Sequence, residues 1–233
     1  MMKLMVILAH PDDESFPMGG TLAKYAAQGV KIVLVCATLG EAGIPELSPS
    51  KVGKIRSAEL RCAAGNLGIK EIRFLGHRDG TLSQIDSEEI TEKLVSLMQQ
   101  YQPQVVITFG PDGISGHPDH TTISARTTQS FDRAELANSA RLFYLAPSEA
   151  TLQGCGVTPS QDIAGGPVAG IDITDYRLAK VRAVQCHASQ NPPFKGNPEQ
   201  EANKLACHEF FALARPIPPK VESFNDLFQN MEQ

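Results

Sequence analysis

The sequence lacks several features that would each point to a particular class of protein. It has no basic excess, because 26 acidic residues outnumber 21 Lys and Arg and the formal net charge is −5. Nucleic-acid-binding domains usually carry a basic excess or stripe, so we expect no nucleic-acid partner, and the charge also argues against an anionic membrane surface. No apolar run reaches the length of about 18 residues that a membrane span needs, so we expect no transmembrane helix.

The five cysteines form no Cys-x-x-Cys pair, and their number is odd. We therefore expect no disulfide framework and a reducing, cytoplasmic environment. The first residues lead through a short apolar run into a histidine and two acids rather than into a small-residue cleavage site. This pattern is not typical of a signal peptide, and we expect none.

A glycine-rich phosphate-binding turn is also missing from the place where a nucleotide-binding protein would carry it. The residues after the first apolar run, Leu4–Ala9, contain neither G-x-G-x-x-G nor G-x-x-x-x-G-K. That turn is instead acidic and would repel a pyrophosphate. A non-catalytic nucleotide-binding module is therefore the least favoured function for this chain.

The sequence does contain a regular alternation of short apolar runs and helical patterns. We predict strands at Leu4–Ala9, Lys31–Ala37, Ile72–Leu75, Val105–Phe109, Leu142–Leu145 and Val168–Ile173. We predict helices at Met18–Gln28, Pro49–Leu67, Asp86–Tyr101, Pro118–Phe131, Thr174–His187 and Glu199–Phe211. Strands that alternate with helices form βαβ units with right-handed crossovers. This predicts an α/β fold, a Rossmann-like three-layer α/β/α sandwich with a mostly parallel sheet.

The length of 233 residues fits a single domain. We expect its core at about residues 1–146, followed by looser loops and helices at residues 147–233. The loop Thr151–Gly170 is rich in Gly, Pro, Ser and Thr, and loops of this length often serve binding. We therefore expect this loop to help cover the functional site.

A dense group of ionisable residues follows the first predicted strand, where Ala9–Ser15 reads Ala-His-Pro-Asp-Asp-Glu-Ser. Open α/β sheets bind ligands at this end of their strands. Carboxylates this close repel one another, and a divalent cation would relieve the repulsion. His10 and Asp13 are three residues apart around a turn, so their side chains can converge. Asp12 should point elsewhere and remain free for another role.

A second group, His117-Pro118-Asp119-His120, follows the fourth predicted strand. The first and fourth strands of a doubly wound sheet are commonly neighbours, so we expect the two groups to meet in one crevice. Two histidines, one carboxylate and an open position suit a hydrolytic zinc site, and a free carboxylate nearby can accept a proton from water. The alternative is that both groups are simply capped helix starts.

These motifs resemble those of the PIG-L/LmbE-like zinc deacetylases. The pair Ala-His-Pro-Asp-Asp-Glu and His-Pro-Asp-His carries the resemblance. Weaker matches are Thr38–Gly43, the Arg-x-x-Glu of Arg56 and Glu59, and His-Ala-Ser-Gln at His187–Gln190, so the similarity spans roughly residues 4–190. The family implies a Rossmann-like fold, possible homo-oligomers, and hydrolysis of the amide C–N bond of an N-acetylglucosamine-type small molecule.

The resemblance also implies the cofactor and its ligands. Carried over by position, His10, Asp13 and His120 resemble the family's zinc ligands. Two histidines and a carboxylate also suit iron(II) and other divalent ions, so Fe²⁺ is a second candidate.

The same resemblance implies three catalytic residues. Asp12 resembles the general base that takes a proton from the attacking water. His117 resembles the group that faces the developing oxyanion and helps to protonate the leaving amine. We expect Asp119 to orient His117 and to favour its charged form, because a neighbouring carboxylate raises a histidine pKa.

Four further residues are candidates for substrate binding, and each has a plain structural alternative. Arg56 could hold a sugar hydroxyl or a phosphate with its forked donors, or be a solvated helix arginine. Glu41 could line the crevice or be an ordinary loop acid. Asp79 could form a polar wall of the pocket or a simple Asp-Gly turn. His187 could face the site or satisfy the last carbonyls of a helix.

Three functions remain for these residues. The favoured function is a metal-dependent hydrolase that removes an N-acetyl group from an amino sugar or its conjugate. A second is an amidase with the same metal site and a non-sugar N-acyl substrate. The nucleotide-binding module is the third.

Overall fold

A mostly parallel sheet forms the centre of the fold in the computed structural model, which describes residues 1–147, 168–216 and 224–231. Within these residues the sheet has seven strands in the order β3-β2-β1-β4-β5-β7-β6. The strands are β1 Lys3–Leu8, β2 Lys31–Cys36, β3 Glu71–Phe74, β4 Val105–Thr108, β5 Arg141–Leu145, β6 Val168–Asp172 and β7 His208–Arg215. Strands β1 to β5 pair in parallel, and β7 runs antiparallel to both β5 and β6.

The helices are α1 Gly19–Ala27, α2 Pro49–Leu67, α3 Ser87–Tyr101, α4 Pro118–Arg133, α5 Arg177–Cys186 and α6 Pro198–Ala202. Helices α1, α2 and α5 contact one another, and α3 contacts α4, so two helical layers enclose the sheet. The central strands are almost completely buried, as continuous apolar runs covered on both faces should be. The predicted three-layer α/β/α sandwich is confirmed. No helix among the described residues is long and apolar enough to cross a membrane.

Most predicted elements agree with the structure within two residues at each end. The helix start at Asp86 is confirmed, because its side chain accepts a hydrogen bond from the Glu88 N–H. The end of α2 is confirmed at Gly68, whose φ of 74° lies in the left-handed region that glycine adopts without strain.

The predicted helix Glu199–Phe211 is wrong over most of its length. Helix α6 ends at Ala202, and residues from His208 onward form β7. This strand satisfies its backbone groups by pairing with β5 on one side and β6 on the other, which local helix propensity could not reveal. The region expected to be looser therefore supplies two strands of the sheet. Residues 151–167 of the predicted covering loop, Thr151–Gly170, lie outside the described residues.

The expectation of no disulfide framework also needs correction. Cys62 of α2 and Cys186 at the end of α5 form a disulfide, with their Cα atoms 5.8 Å apart. The two cysteines are 124 residues apart in sequence, so only the packing of α5 against α2 brings them together. Cys36 is free and buried, as expected for a small core residue.

A buried ion pair fixes the start of α1, the helix that follows the first motif. Glu209 of β7 accepts hydrogen bonds from the N–H groups of Gly20 and Thr21, at 3.1 and 2.7 Å. Lys180 of α5 lies 2.7 Å from the same carboxylate, and both side chains are almost completely buried. One carboxylate thus satisfies two unpaired donors of the helix end and neutralises a buried cation.

We expect Glu209→Gln to lower the free energy of unfolding by about 3–5 kcal/mol, because it leaves the Lys180 ammonium buried without a counter-charge. Urea denaturation followed by circular dichroism measures the change. The control is Glu199→Gln, which removes an exposed ion pair to Arg182 and should cost less than about 1 kcal/mol. Equal costs for the two variants would contradict this account of the pair.

Candidate metal centre and active site

The two motifs meet at one edge of the sheet. Strands β1 and β4 are paired neighbours, and the chain leaves both at the same end. The first motif follows β1 directly, and the second begins α4 after the loop that follows β4. As a result, His10 Nδ1 and His120 Nε2 lie 3.1 Å apart although 110 residues separate them in sequence. The predicted meeting of the two groups is confirmed.

Three side chains of these motifs bring possible ligand atoms close together, and a different oxygen of Asp13 is nearest to each histidine. Besides the histidine contact of 3.1 Å, Asp13 Oδ2 lies 3.7 Å from His10 Nδ1, and Asp13 Oδ1 lies 3.4 Å from His120 Nε2. Ligands at about 2.0–2.2 Å from a tetrahedral zinc ion are roughly 3.3 Å apart. The donor set of two imidazoles and one carboxylate therefore fits a divalent metal ion.

The other nitrogen of His10 faces two different carboxylates. His10 Nε2 lies 2.9 Å from Asp79 Oδ1 and 3.2 Å from Asp119 Oδ2. Asp119 is completely buried and also accepts hydrogen bonds from the N–H groups of Gly80 and Leu82. Metal-binding histidines commonly donate their second N–H to a carboxylate in this way, which fixes the ring and leaves the other nitrogen for the metal.

Among the described residues, two groups of side chains could hold an ion by distance alone, and neither includes Asp13: His10 with His117 and His120, and His10 with Asp79 and Asp119. In the second group, Asp119 is enclosed and its oxygens already accept backbone hydrogen bonds. Asp13 and His120, which face His10 Nδ1, both line the cavity, whereas Asp119 does not. The geometry therefore favours an ion on the Nδ1 side.

The charges around His10 show why a cation suits this place. Burial opposes a charge on His10, but hydrogen bonds to Asp119 and Asp79 and the charge of Asp13 outweigh it and raise the His10 pKa to about 10. Burial likewise opposes ionisation of Asp13, yet the charges of His120 and His10 lower the Asp13 pKa. The same ion pair raises the His120 pKa against the effect of burial. A bound divalent ion would replace the protons on these histidines, because ligating imidazoles are neutral.

Asp12 belongs to a different set of contacts from Asp13, as the sequence predicts. Its Oδ2 accepts a hydrogen bond of 3.0 Å from Arg56 Nη2, which also donates to the carbonyl of Pro11. Burial and the charge of Asp13 raise the Asp12 pKa to about 7, while Arg56 opposes this rise. A carboxyl group with a pKa near neutrality is suited to accept and return a proton.

A cavity of about 480 Å³ opens over these groups. Its lining combines the polar residues of both motifs with an apolar wall, and consists of His10, Asp12, Asp13, Phe16, Pro17, Ala42, Gly43, Arg56, Asp79, Gly80, Phe109, Ile114, Ser115, His117, His120 and Pro147. Five predicted metal or catalytic residues and two predicted substrate residues, Arg56 and Asp79, therefore share one cavity. The volume is sufficient for a monosaccharide-sized ligand.

His117 lies at the start of α4, and the structure corrects its expected relation to Asp119. The backbone N–H of Asp119 donates to His117 Nδ1 at 3.1 Å, whereas the Asp119 carboxylate faces His10. Burial, together with the charges of His10 and His120, lowers the His117 pKa and outweighs the opposite effect of Asp119. The lowered pKa and the hydrogen bond accepted by Nδ1 favour the neutral imidazole with its proton on Nε2 over the charged form that Asp119 was expected to promote.

Glu41 and His187 lie outside the cavity lining that the described residues form. Glu41 accepts hydrogen bonds from the N–H groups of Leu39 and Asp79, at 3.2 and 3.1 Å. His187 is completely buried, with its Nε2 2.7 Å from Glu14 Oε1. Both side chains therefore support the walls of the cavity, and neither is part of the lining that the described residues form.

The apolar wall was not predicted from the sequence. Phe109 stacks on the His120 ring with centroids 4.1 Å apart and planes 9° from parallel, while Phe16 and Ile114 line the cavity. These residues carry no ionisable group, and their proximity depends on strand order and loop conformation. The only available signal was the position of Phe109 at the end of a predicted strand.

Comparisons with known proteins agree with this site. Residues 5–131, more than half of the chain, match the sequence profile of the family described as PIG-L, GlcNAc-PI de-N-acetylase. A relative from Saccharomonospora viridis is named 1D-myo-inositol 2-acetamido-2-deoxy-alpha-D-glucopyranoside deacetylase. It is 32% identical over an aligned length of 271 positions, gaps included, and the alignment covers 97% of this chain and 99% of the relative.

Two solved structures show the same fold. The N,N'-diacetylchitobiose deacetylase of Pyrococcus horikoshii is 26% identical, with a TM-score of 0.68 over 91% of this chain and 83% of that one. The 4-carboxy-2-hydroxymuconate hydratase GalB of Pseudomonas putida is 19% identical, with a TM-score of 0.69 over 95% and 99% of the two chains, which is a likeness of fold alone. Because the fold carries more than one reaction, the fold by itself does not define the chemistry.

The fold, the family match and the relatives define the chain as an α/β protein of the deacetylase class. It belongs to the PIG-L family.

The support that Asp119 gives to His10 can be tested through metal affinity. We expect Asp119→Asn to weaken binding of Zn²⁺ about 10- to 100-fold, because the amide cannot accept from Gly80, Leu82 and His10 together. Competition with a fluorescent chelator measures the affinity. Asp132→Asn, at an exposed carboxylate paired with Arg215, is the matched control and should leave the affinity unchanged. An unchanged affinity in the Asp119 variant would show that Asp119 does not support the metal ligand.

Proposed function

We propose that this protein is a metal-dependent N-deacetylase that acts on an N-acetylglucosamine-type sugar or sugar conjugate. The observation that carries the proposal is the convergence of His10, Asp13 and His120 on one point, with Asp12 and His117 beside them in the same cavity. Family membership and the deacetylase names of the relatives support the same reaction.

We propose Zn²⁺ as the ion held by His10 Nδ1, Asp13 and His120 Nε2. Fe²⁺ suits the same three ligands and is the second candidate. When bound, a divalent ion polarises the amide carbonyl and the attacking water. Its ligands leave an open side toward the cavity, where the acetamido group would lie.

Asp12 serves as the general base in this proposal. Arg56 fixes one of its oxygens, and its pKa of about 7 allows it to take the proton of the attacking water. When the C–N bond breaks, the leaving amine takes up a proton, and the protonated Asp12 carboxyl can return the one that it received. Acetate and a free amine are the products.

His117 stabilises the negative charge that develops on the carbonyl oxygen. His117 Nδ1 accepts a hydrogen bond from the Asp119 N–H, so the proton of the neutral imidazole is on Nε2, which can donate to the substrate. A preset donor of this kind supplies the electrostatic stabilisation that amide hydrolysis needs. The neutral state of His117 favours this role over that of a proton donor to the amine.

The substrate class follows from the relatives together with the cavity. The names of the relatives describe deacetylases of glucosamine-containing compounds, and a cavity of about 480 Å³ has room for one sugar ring. Asp79 and Arg56 are our candidates for contacts to the sugar hydroxyls. A small-molecule partner, a cytoplasmic location and a homo-oligomer stay predictions. The second candidate is hydrolysis of a non-sugar N-acyl compound, because the metal ligands would be the same.

Acetate release from a panel of N-acetyl compounds tests the proposal. We expect release from a glucosamine–inositol conjugate or N,N'-diacetylchitobiose, loss of release after chelation, and recovery with Zn²⁺ or Fe²⁺. Release from N-acetyl amino acids with none from any sugar would favour the second candidate. Release that persists in the metal-free protein would contradict the mechanism.

The role of Asp12 has its own test. We expect Asp12→Asn to lower kcat about 10²- to 10⁴-fold with little change in metal content, because it removes the base but no ligand. Steady-state kinetics and elemental analysis of the same sample measure both effects. A variant that keeps its kcat would show that another group accepts the proton.

A further inference from the structure

The backbone of Asp12 has a conformation that residues with a side chain rarely adopt. Its φ is 112°, outside the regions that are open to residues with a Cβ. Such a conformation is costly and persists only where the surrounding contacts determine it. The contacts of Asp12 therefore show what holds the proposed base in place.

Two side chains hold Asp12 from different sides. Arg56 donates to the Asp12 carboxylate at 3.0 Å and to the carbonyl of Pro11, and so fixes the side chain and the preceding peptide. The N–H of Asp12 donates to Glu14 Oε2 at 3.0 Å, and so fixes the backbone. The Glu14 carboxylate thus holds the backbone of the residue that has the unusual φ.

Glu14 could not remain there as an isolated anion, because its side chain is completely buried. Its second oxygen, Oε1, accepts hydrogen bonds from His187 Nε2 at 2.7 Å and from Ser15 Oγ at 2.5 Å. His187 is also completely buried and comes from 173 residues further along the chain. It is the imidazole that pairs with the Glu14 carboxylate.

The segment that carries His187 is tied to the helix that carries Arg56. His187 directly follows α5, and the Cys62–Cys186 disulfide joins the end of α5 to α2. Glu59 of α2 accepts two further hydrogen bonds from Ser189, at 2.8 and 2.7 Å. Arg56, which holds the Asp12 side chain, and His187, which pairs with Glu14, therefore lie on segments that are directly joined.

We propose that Glu14 and His187 are positioning residues that hold the backbone of Asp12 so that its carboxylate faces the cavity beside the metal ligands. This inference rests on the proposed role of Asp12 as the base. Neither side chain is part of the cavity lining formed by the described residues, so neither contacts the substrate. Their loss should therefore change kcat, and should leave KM and metal content close to those of the wild type.

Two substitutions of His187 separate the hydrogen bond from the bulk of the side chain. His187→Leu removes the donor to Glu14, and we expect kcat to fall about 10- to 100-fold because the base is displaced. His187→Gln can present an amide N–H near the position of the imidazole Nε2, and we expect it to keep most of the wild-type kcat. If His187→Leu does not fold, His187→Asn, which is too short to reach Glu14, should show the same fall.

Gln185→Ala is the matched control. It removes a hydrogen bond of 2.9 Å from the same helix, α5, to the Gly196 carbonyl, which has no part in the support of Asp12, so kcat should stay within twofold of the wild type. Elemental analysis shows whether each variant keeps its metal. A fall in kcat that follows a loss of metal, or an equal fall in His187→Gln and His187→Leu, would overturn the inference.

A crystal structure of His187→Leu gives a readout that needs no substrate. We expect φ of Asp12 to leave the positive region, or its contact with Arg56 to be lost. An unchanged Asp12 would overturn the positioning role even where the proposed function holds. If the wild type releases no acetate from any sugar conjugate, the proposed function fails. Comparing the crystal structures of the wild type and His187→Leu still decides whether Glu14 and His187 position Asp12.

Discussion

The two nitrogens of His10 face different partners, and the rest of the site depends on this arrangement. Asp79 and Asp119 hold Nε2, so that Nδ1 turns toward Asp13 and His120 at the cavity. Asp119 can do so because two backbone N–H groups and a buried environment fix its carboxylate. The spacing of the ligands thus depends on a network that reaches from β1 through the loop after β3 to the start of α4.

Buried charges near the turn after β1 and at the start of α1 are also paired with side chains from elements that are distant in sequence. Glu209 of β7 satisfies the start of α1 and pairs with Lys180. His187 pairs with Glu14 beneath Asp12. Such pairs contribute less to net stability than to a defined geometry, because the desolvation of each charge offsets much of the attraction. A site that holds a base beside metal ligands needs this defined geometry, because the base must be placed accurately relative to the ligands.

The sequence predicted the sandwich, most element bounds and the convergence of two motifs, because these follow from apolar periodicity and from where parallel strands end. It could not predict β7, since pairing with β5 and β6 overrides a helical pattern near Glu199–Phe211. It also left open whether His187 faces the site, and it expected Asp119 to orient His117, whereas the Asp119 carboxylate faces His10. A motif shows which residues gather, but the direction of each side chain depends on partners far away in sequence.

The measurement that tests the central claim most directly is the position of the metal in a crystal of the zinc-loaded protein, located by anomalous scattering at the zinc edge. The account predicts one peak about 2.0–2.2 Å from His10 Nδ1, His120 Nε2 and an Asp13 oxygen. A peak at His10 Nε2, between Asp79 and Asp119, would contradict the assignment of ligands and supports, and no peak at all would contradict the metal centre itself.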